Sequence, residues 1–230
     1  MIEFLFIDLD DTILDFQKAE HIALAKTLRS FGLEPNEAVL NRYSQINKSY
    51  WERLERKEVT REALLVDRFG DLFAEYGIAV EPMQCARTYE KNLGTGHYFL
   101  PGAREAVKAL SRSYKLYLAS NGTSHVQAGR IESADIAHFF QGIFISQEIG
   151  VNKPDREYFE RCFARIPGFD RTKAMIVGDS LSSDILGGKQ AGILTCWVNA
   201  NGKTAPADLK PDYEIPSLSA LEALLNAENL

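Results

Sequence analysis

Residues 4–12 read Phe4-Leu5-Phe6-Ile7-Asp8-Leu9-Asp10-Asp11-Thr12. Four apolar residues run directly into a stretch that holds three carboxylates. An apolar run this short, with no polar face, is the pattern of a strand buried on both sides in a parallel sheet. Four more such runs follow: Leu116–Ala119, Ile143–Ile145, Met175–Val177 and Leu194–Val198. Each ends in polar or glycine-rich residues. Between them apolar residues recur at helical spacing, as in Ala103, Val107 and Leu110, or Tyr158, Phe159, Cys162, Phe163 and Ile166. Strands alternating with helices over residues 97–230 predict βαβ units, an α/β fold with helices on both faces of a parallel sheet.

Residues 15–96 break this rhythm. They contain no convincing strand but four helical segments, at about 16–31, 37–57, 60–76 and 82–93, with Gly32, Pro35, Gly77 and Pro82 as punctuation. The reading is a catalytic core formed by residues 1–14 and 97–230, interrupted by an all-helical insert at 15–96. The linkers fall near Leu14–Phe16 and Gly94–Leu100, where the insert can hinge over a site at the strand ends.

The totals fit this. A chain of 230 residues, 45% hydrophobic and 25% charged, is long enough for one α/β domain and a smaller subdomain. The net charge of −6 offers no basic footprint for nucleic acid or an anionic membrane. No stretch approaches the length of a membrane span, and the first eight residues lack the basic start of a signal peptide. Cys85, Cys162 and Cys196 are an odd set without metal-ligand spacing, as expected of reduced thiols in a cytoplasmic protein. A monomer or homodimer is expected.

Four groups follow the apolar runs, on the side where an open parallel sheet binds ligands. Asp8 and Asp10, two residues apart, can approach one metal ion and one phosphate. A carboxylate can attack phosphorus to form an acyl phosphate, and a second can pass protons to and from oxygen. The bland alternative is helix capping by Asp11 or Thr12. Ser120-Asn121-Gly122 offers a hydroxyl, an amide and a permissive glycine to phosphate oxygens. Lys153, before Pro154, can neutralise phosphate charge and restrain Asp8. In Gly178-Asp179-Ser180-Leu181-Ser182-Ser183-Asp184, the carboxylates of Asp179 and Asp184 are hard oxygen ligands of the kind Mg²⁺ takes. Capping by Asp179 or Ser180 competes with that reading. Four unrelated turns supplying the parts of one reaction is the weaker explanation.

These motifs resemble those of the haloacid dehalogenase (HAD) superfamily phosphatases, matched at Asp8-Leu9-Asp10-Asp11-Thr12, Ser120, Lys153 and Gly178-Asp179…Asp184. The resemblance implies a Rossmann-like three-layer sandwich, with residues 15–96 as a helical C1 cap. It implies Asp8 as nucleophile and Asp10 as general acid/base, with Ser120 and Lys153 on the phosphoryl group. Mg²⁺ would be held by Asp8, the backbone carbonyl of Asp10, and Asp179, with Asp184 supporting. The superfamily's dehalogenases lack an acid/base at the position of Asp10, which favours phosphatase chemistry.

Further segments resemble the YjjG-type pyrimidine 5′-nucleotidase branch: Gln127 and Arg130 after Ser120-Asn121-Gly122, Ile145–Val151 before Lys153, and Asn47…Trp51, Thr60-Arg61-Glu62 and Arg68-Phe69 in the insert. The resemblance implies a small phosphorylated metabolite as substrate, specifically a pyrimidine nucleoside monophosphate. The alternatives are a sugar phosphate or phosphoglycolate phosphatase, a phosphomutase, and a non-catalytic binding module. Trp51 and Phe69 are expected to pack in the core of the insert, with stacking on a base as the alternative.

Overall fold

The computed structural model describes residues 1–228. Six strands form one parallel sheet: β1 (Phe4–Ile7), β2 (Lys115–Ser120), β3 (Gly142–Ile145), β4 (Ala174–Gly178), β5 (Leu194–Val198) and β6 (Tyr213–Ile215). Their order is β3-β2-β1-β4-β5-β6. The chain winds outward from β1 to β3, then crosses back to begin again at β4. The carboxyl ends of β1 and β4 therefore splay their connections to opposite sides and open a crevice between them. Ile7 lies opposite both Leu118 and Val177, so Asp8 emerges level with Ala119 and Gly178.

Alternation along the strands fills a layer on each side. Leu5, Ile7, Leu116, Leu118, Met175 and Val177 face a core closed by α5 (Ala103–Leu110), α6 (Ser124–Ser133) and α10 (Leu221–Ala227). Phe4, Phe6, Tyr117, Phe144 and Ile176 face the other core, under α7 (Ser146–Ile149), α8 (Arg156–Phe163) and α9 (Leu186–Ala191). That second core is strongly aromatic; the Phe6 ring lies 5.4 Å from those of Tyr117 and Phe163. On α9 a Cβ on Gly187 would meet Phe159 at 2.6 Å, and one on Gly188 would meet Ile176 at 2.4 Å, so both serve close packing onto the sheet.

The expected helices are present as α1 (Phe16–Ser30), α2 (Glu37–Glu55), α3 (Arg61–Tyr76) and α4 (Pro82–Leu93). Asp15, Asn36, Thr60 and Glu81 cap their amino ends by accepting backbone N–H groups. The four pack on one another around Leu24, Tyr43, Leu64, Phe69, Leu72 and Tyr89, an apolar core separate from those of the sheet. The two connecting segments run side by side: Leu14 bridges Phe99 in antiparallel fashion, Asp15 N donates to Tyr98 O at 2.8 Å, and Leu100 N donates to Ile13 O at 3.0 Å. All three cysteines are buried and free. Among the described residues no helix is long and apolar enough to cross a membrane.

Candidate active site

The crevice beyond β1 and β4 gathers the acidic residues. Carboxylate oxygens of Asp8, Asp179 and Asp184 lie within 4.8 Å of one another. Two details of the chain make this approach possible. A Cβ on Gly178 would fall 2.1 Å from Asp184 Oδ2, so a glycine there leaves the space into which Asp184 folds back. The buried Thr12 hydroxyl accepts from Asp179 N at 3.1 Å and ties the first motif to the last. Asp184 stands in a wide helical turn, Leu181–Ile185, that opens on Ser180, whose hydroxyl accepts from Ser183 N.

Lys153 is buried at the centre. Its Nζ donates to Asp8 Oδ1 at 2.7 Å, Asp184 Oδ1 at 2.7 Å and Ala119 O at 2.6 Å, using all three ammonium protons. Burial opposes its charge, but Asp184 and Asp8 outweigh burial and hold the ammonium above its ordinary value. Burial also pushes the Asp8 carboxyl up to about 8; Lys153 pulls it down, while Asp184 and Asp10 push it further up. The Asp179 carboxyl is driven well above the usual carboxylate range by burial, then by the charges of Asp8, Asp184 and Asp11. Three converging carboxylates with one ammonium leave an excess of negative charge, which a divalent cation would relieve. The donor set, all hard oxygen, fits such an ion.

The side chain of Asp10 does not join this group. Its Oδ2 accepts from Gln127 Nε2 at 2.7 Å, and its Oδ1 is paired with the Nη1 of Arg130. Gln127 Nε2 also donates to Ser120 Oγ at 2.8 Å, which frees the serine O–H to donate elsewhere. Asn121 departs from expectation. Its amide takes both backbone groups of Lys153, accepting from N at 2.9 Å and donating to O at 2.8 Å. The side chain therefore braces Lys153 instead of standing free for a phosphate. The capping alternative holds for Asp11, whose Oδ1 accepts from Phe16 N at 2.9 Å, and for Ser180.

A cleft of about 200 Å³ rises from Asp8, Asp10, Lys153 and Asp179 to the helical insert, where Trp51, Leu65 and Arg68 line it. Phe69 is wholly buried in the insert's own core, as expected, but Trp51 is half-buried and faces the cleft. Three residues of the insert also reach the core. Arg61 donates to Gly122 O at 2.8 Å, Ser146 Oγ at 2.7 Å and Asn152 Oδ1 at 2.5 Å. Glu55 accepts from Ser182 Oγ at 2.9 Å, and Lys57 pairs with Asp155 at 2.7 Å. The roles of Gln127, Arg130, Glu55 and Arg61 were not assigned from sequence. Gln127 and Arg130 did carry a signal, two polar residues at i and i+3 on a helix following a strand end.

A family model of haloacid dehalogenase-like hydrolases matches residues 2–192. The HAD-hydrolase YfnB of Bacillus subtilis, in a magnesium-bound crystal structure that reveals interdomain movement, superimposes with a TM-score of 0.93 at 36% identity, covering 98% of this chain and 99% of that one. The pyrimidine 5′-nucleotidase PynA of Streptococcus pneumoniae is 35% identical over 95% of this chain and 93% of its own. The pyrimidine 5′-nucleotidase YjjG of Escherichia coli is 30% identical over 97% of each. The chain therefore belongs to the haloacid dehalogenase-like hydrolase family.

Proposed function

We propose that the protein is a Mg²⁺-dependent phosphatase that acts through an aspartyl-phosphate on Asp8 and takes pyrimidine nucleoside 5′-monophosphates. The observation that carries the chemistry is the position of Asp8, level with the β1–β4 crevice and bound through one oxygen to Lys153. Its second oxygen is then the one to attack phosphorus in line with the leaving alcohol. Asp10 enters the reaction protonated; as the P–O bond to the leaving group breaks it passes that proton to the leaving oxygen, and the resulting carboxylate takes a proton from the water that cleaves the acyl phosphate. Gln127 and Arg130 fix the carboxyl of Asp10 for both steps. Ser120 and Lys153 supply an O–H and a positive charge to the phosphoryl oxygens. When bound by Asp8, Asp179, Asp184 and the Asp10 carbonyl, Mg²⁺ would favour ionised Asp8 and stabilise charge on the phosphoryl group.

Residues 15–96 act in this reading as a cap that excludes water and selects the leaving group. The substrate class is supported by the two nucleotidase relatives, which match over almost the whole chain, cap included. The test is phosphate release from pyrimidine and purine monophosphates, sugar phosphates and phosphoglycolate, with Mg²⁺ and with chelator. A pyrimidine monophosphate is expected to lead in kcat/KM, and only with metal. A non-nucleotide leading by more than about tenfold would leave a phosphatase but remove the nucleotidase.

A further inference from the structure

The cap wall of the cleft contains two polar groups that the fold leaves incomplete. Arg68 on α3 is 3% exposed, and its guanidinium lies 5.2–5.9 Å from the rings of Tyr43, Phe69 and Tyr89. Among the described residues it makes one hydrogen bond, Nη1 to Asn47 Oδ1 at 2.6 Å; Asn47 in turn donates to Glu20 Oε1 at 2.6 Å. Among the described residues Arg68 Nε has no partner, and no carboxylate pairs with the side chain directly. On α4, Glu90 Oε1 is likewise buried without a partner, while its Oε2 lies 3.7 Å from the exposed His125. Both residues line the cleft that rises from Asp8.

Folded chains rarely bury such atoms unpaired, and a buried charge without a counter-ion is costlier still. A guanidinium only donates and a carboxylate only accepts. Together they match a flat edge on which a carbonyl adjoins an N–H. Trp51, half-buried on the same cleft with the Arg61 guanidinium 5.4 Å from its ring, adds a flat apolar surface. A sugar phosphate or phosphoglycolate offers no such edge; the imide of uracil or thymine does.

We propose that Arg68 and Glu90 determine base specificity, Arg68 donating to a ring carbonyl and Glu90 accepting from N3–H of a uracil- or thymine-type base whose 5′-phosphate sits at Asp8. The assignment rests on the nucleotidase reading and deepens it. It is tested on the full chain with Mg²⁺ by comparing kcat/KM for uridine 5′-monophosphate, its N3-methyl derivative and ribose 5-phosphate. In the unaltered protein N3-methylation is expected to cost about 10²-fold or more, because it removes the donor and sets a methyl against a carboxylate. In Glu90→Gln and in Arg68→Met the preference for uridine 5′-monophosphate over ribose 5-phosphate is expected to fall at least about tenfold, with Arg68→Lys intermediate.

If the unaltered protein treats the N3-methyl derivative and its parent alike while both exceed ribose 5-phosphate, the assignment is wrong and the nucleotidase reading survives. The assignment fails in the same way if folded variants keep the full preference. Ribose 5-phosphate matching uridine 5′-monophosphate in the unaltered protein would remove both. The first arm needs no substitution, so the answer does not depend on how the variants fold.

Discussion

Arg130 and Asp10 form an ion pair between α6 and the turn after β1, and the guanidinium is wholly buried. The same side chain donates through Nε to Gly96 O at 3.0 Å, so one residue touches both the acid/base candidate and the returning linker. Arg130→Leu is expected to lower kcat by about 10²-fold through loss of Asp10 placement, with a smaller change in KM. It should also destabilise the fold by roughly 1–3 kcal/mol, since the half-buried Asp10 loses its counter-charge and keeps only the Gln127 hydrogen bond. Arg130→Lys should recover part of kcat. Steady-state kinetics beside denaturant melts separate the two effects; an unchanged kcat in a folded Arg130→Leu protein would remove its positioning role.

Asp8→Asn keeps the shape and loses the nucleophile. Turnover is expected to drop by about 10⁴-fold or more, with the fold retained. Single-turnover phosphate release measures this, and near-normal kcat in the folded variant would sink the covalent route.

The carboxylate cluster implies opposite effects of one substitution with and without metal. Asp179→Asn removes a carboxyl that burial and its acidic neighbours make costly to ionise, so in chelator its Tm should exceed that of the unaltered protein. It should also lose most of the upward Tm shift that Mg²⁺ gives, because binding to the folded state is what produces that shift. Thermal melts across a Mg²⁺ titration check both; an undiminished shift would exclude Asp179 from the ion.

Glu55, at the edge of the carboxylate cluster, gives a pH dependence. Burial pushes its carboxyl up to about 7, against the pull of the Ser182 hydrogen bond. The folded state thus keeps a proton that the unfolded chain releases from about 4.5 upward. Its contribution to stability therefore falls as pH rises between these values. Glu55→Gln should raise Tm more at pH 8 than at pH 5, and an equal shift at both would contradict the assignment.

Arg61 spans the insert and the core with three hydrogen bonds from one guanidinium. Its loss should favour an open arrangement. Arg61→Ala is expected to raise KM by about tenfold, the population shift that roughly 1.4 kcal/mol of lost closure would give. A KM unchanged in the folded variant would show that the contact does not govern closure.

Much of this was legible in the chain because of where its apolar residues fall. Strands β1, β2 and β4 are buried almost throughout and so appear as unbroken apolar runs, each running directly into a residue of the candidate site: Asp8, Ser120 and Asp179. Tyr213-Glu214-Ile215 was missed: at the edge of the sheet it is three residues long and alternates, which gives a run too short to recognise. Asp8, Lys153, Asp179 and Asp184 are visible together because they follow β1, β3 and β4, whose carboxyl ends open on one side of the parallel sheet. The sequence places Asn121 beside the phosphate but cannot say which way its amide turns; a backbone 32 residues on claims it. Arg68 and Glu90 look like ordinary helix-surface charges in the sequence, and only the packing of the helices shows that Arg68 and one carboxylate oxygen of the half-buried Glu90 are shut away from water.

The paired linkers at Leu14 and Phe99 have a consequence for how such a protein changes over generations. The insert departs and returns at one spot, so the loop it forms can lengthen, shorten or be replaced while the strand ends keep their spacing. On the proposed reading, mutations among residues 15–96 redirect substrate choice while the distance from Lys153 to Asp8 is kept, so that chemistry and selectivity are inherited on separable stretches of the same gene.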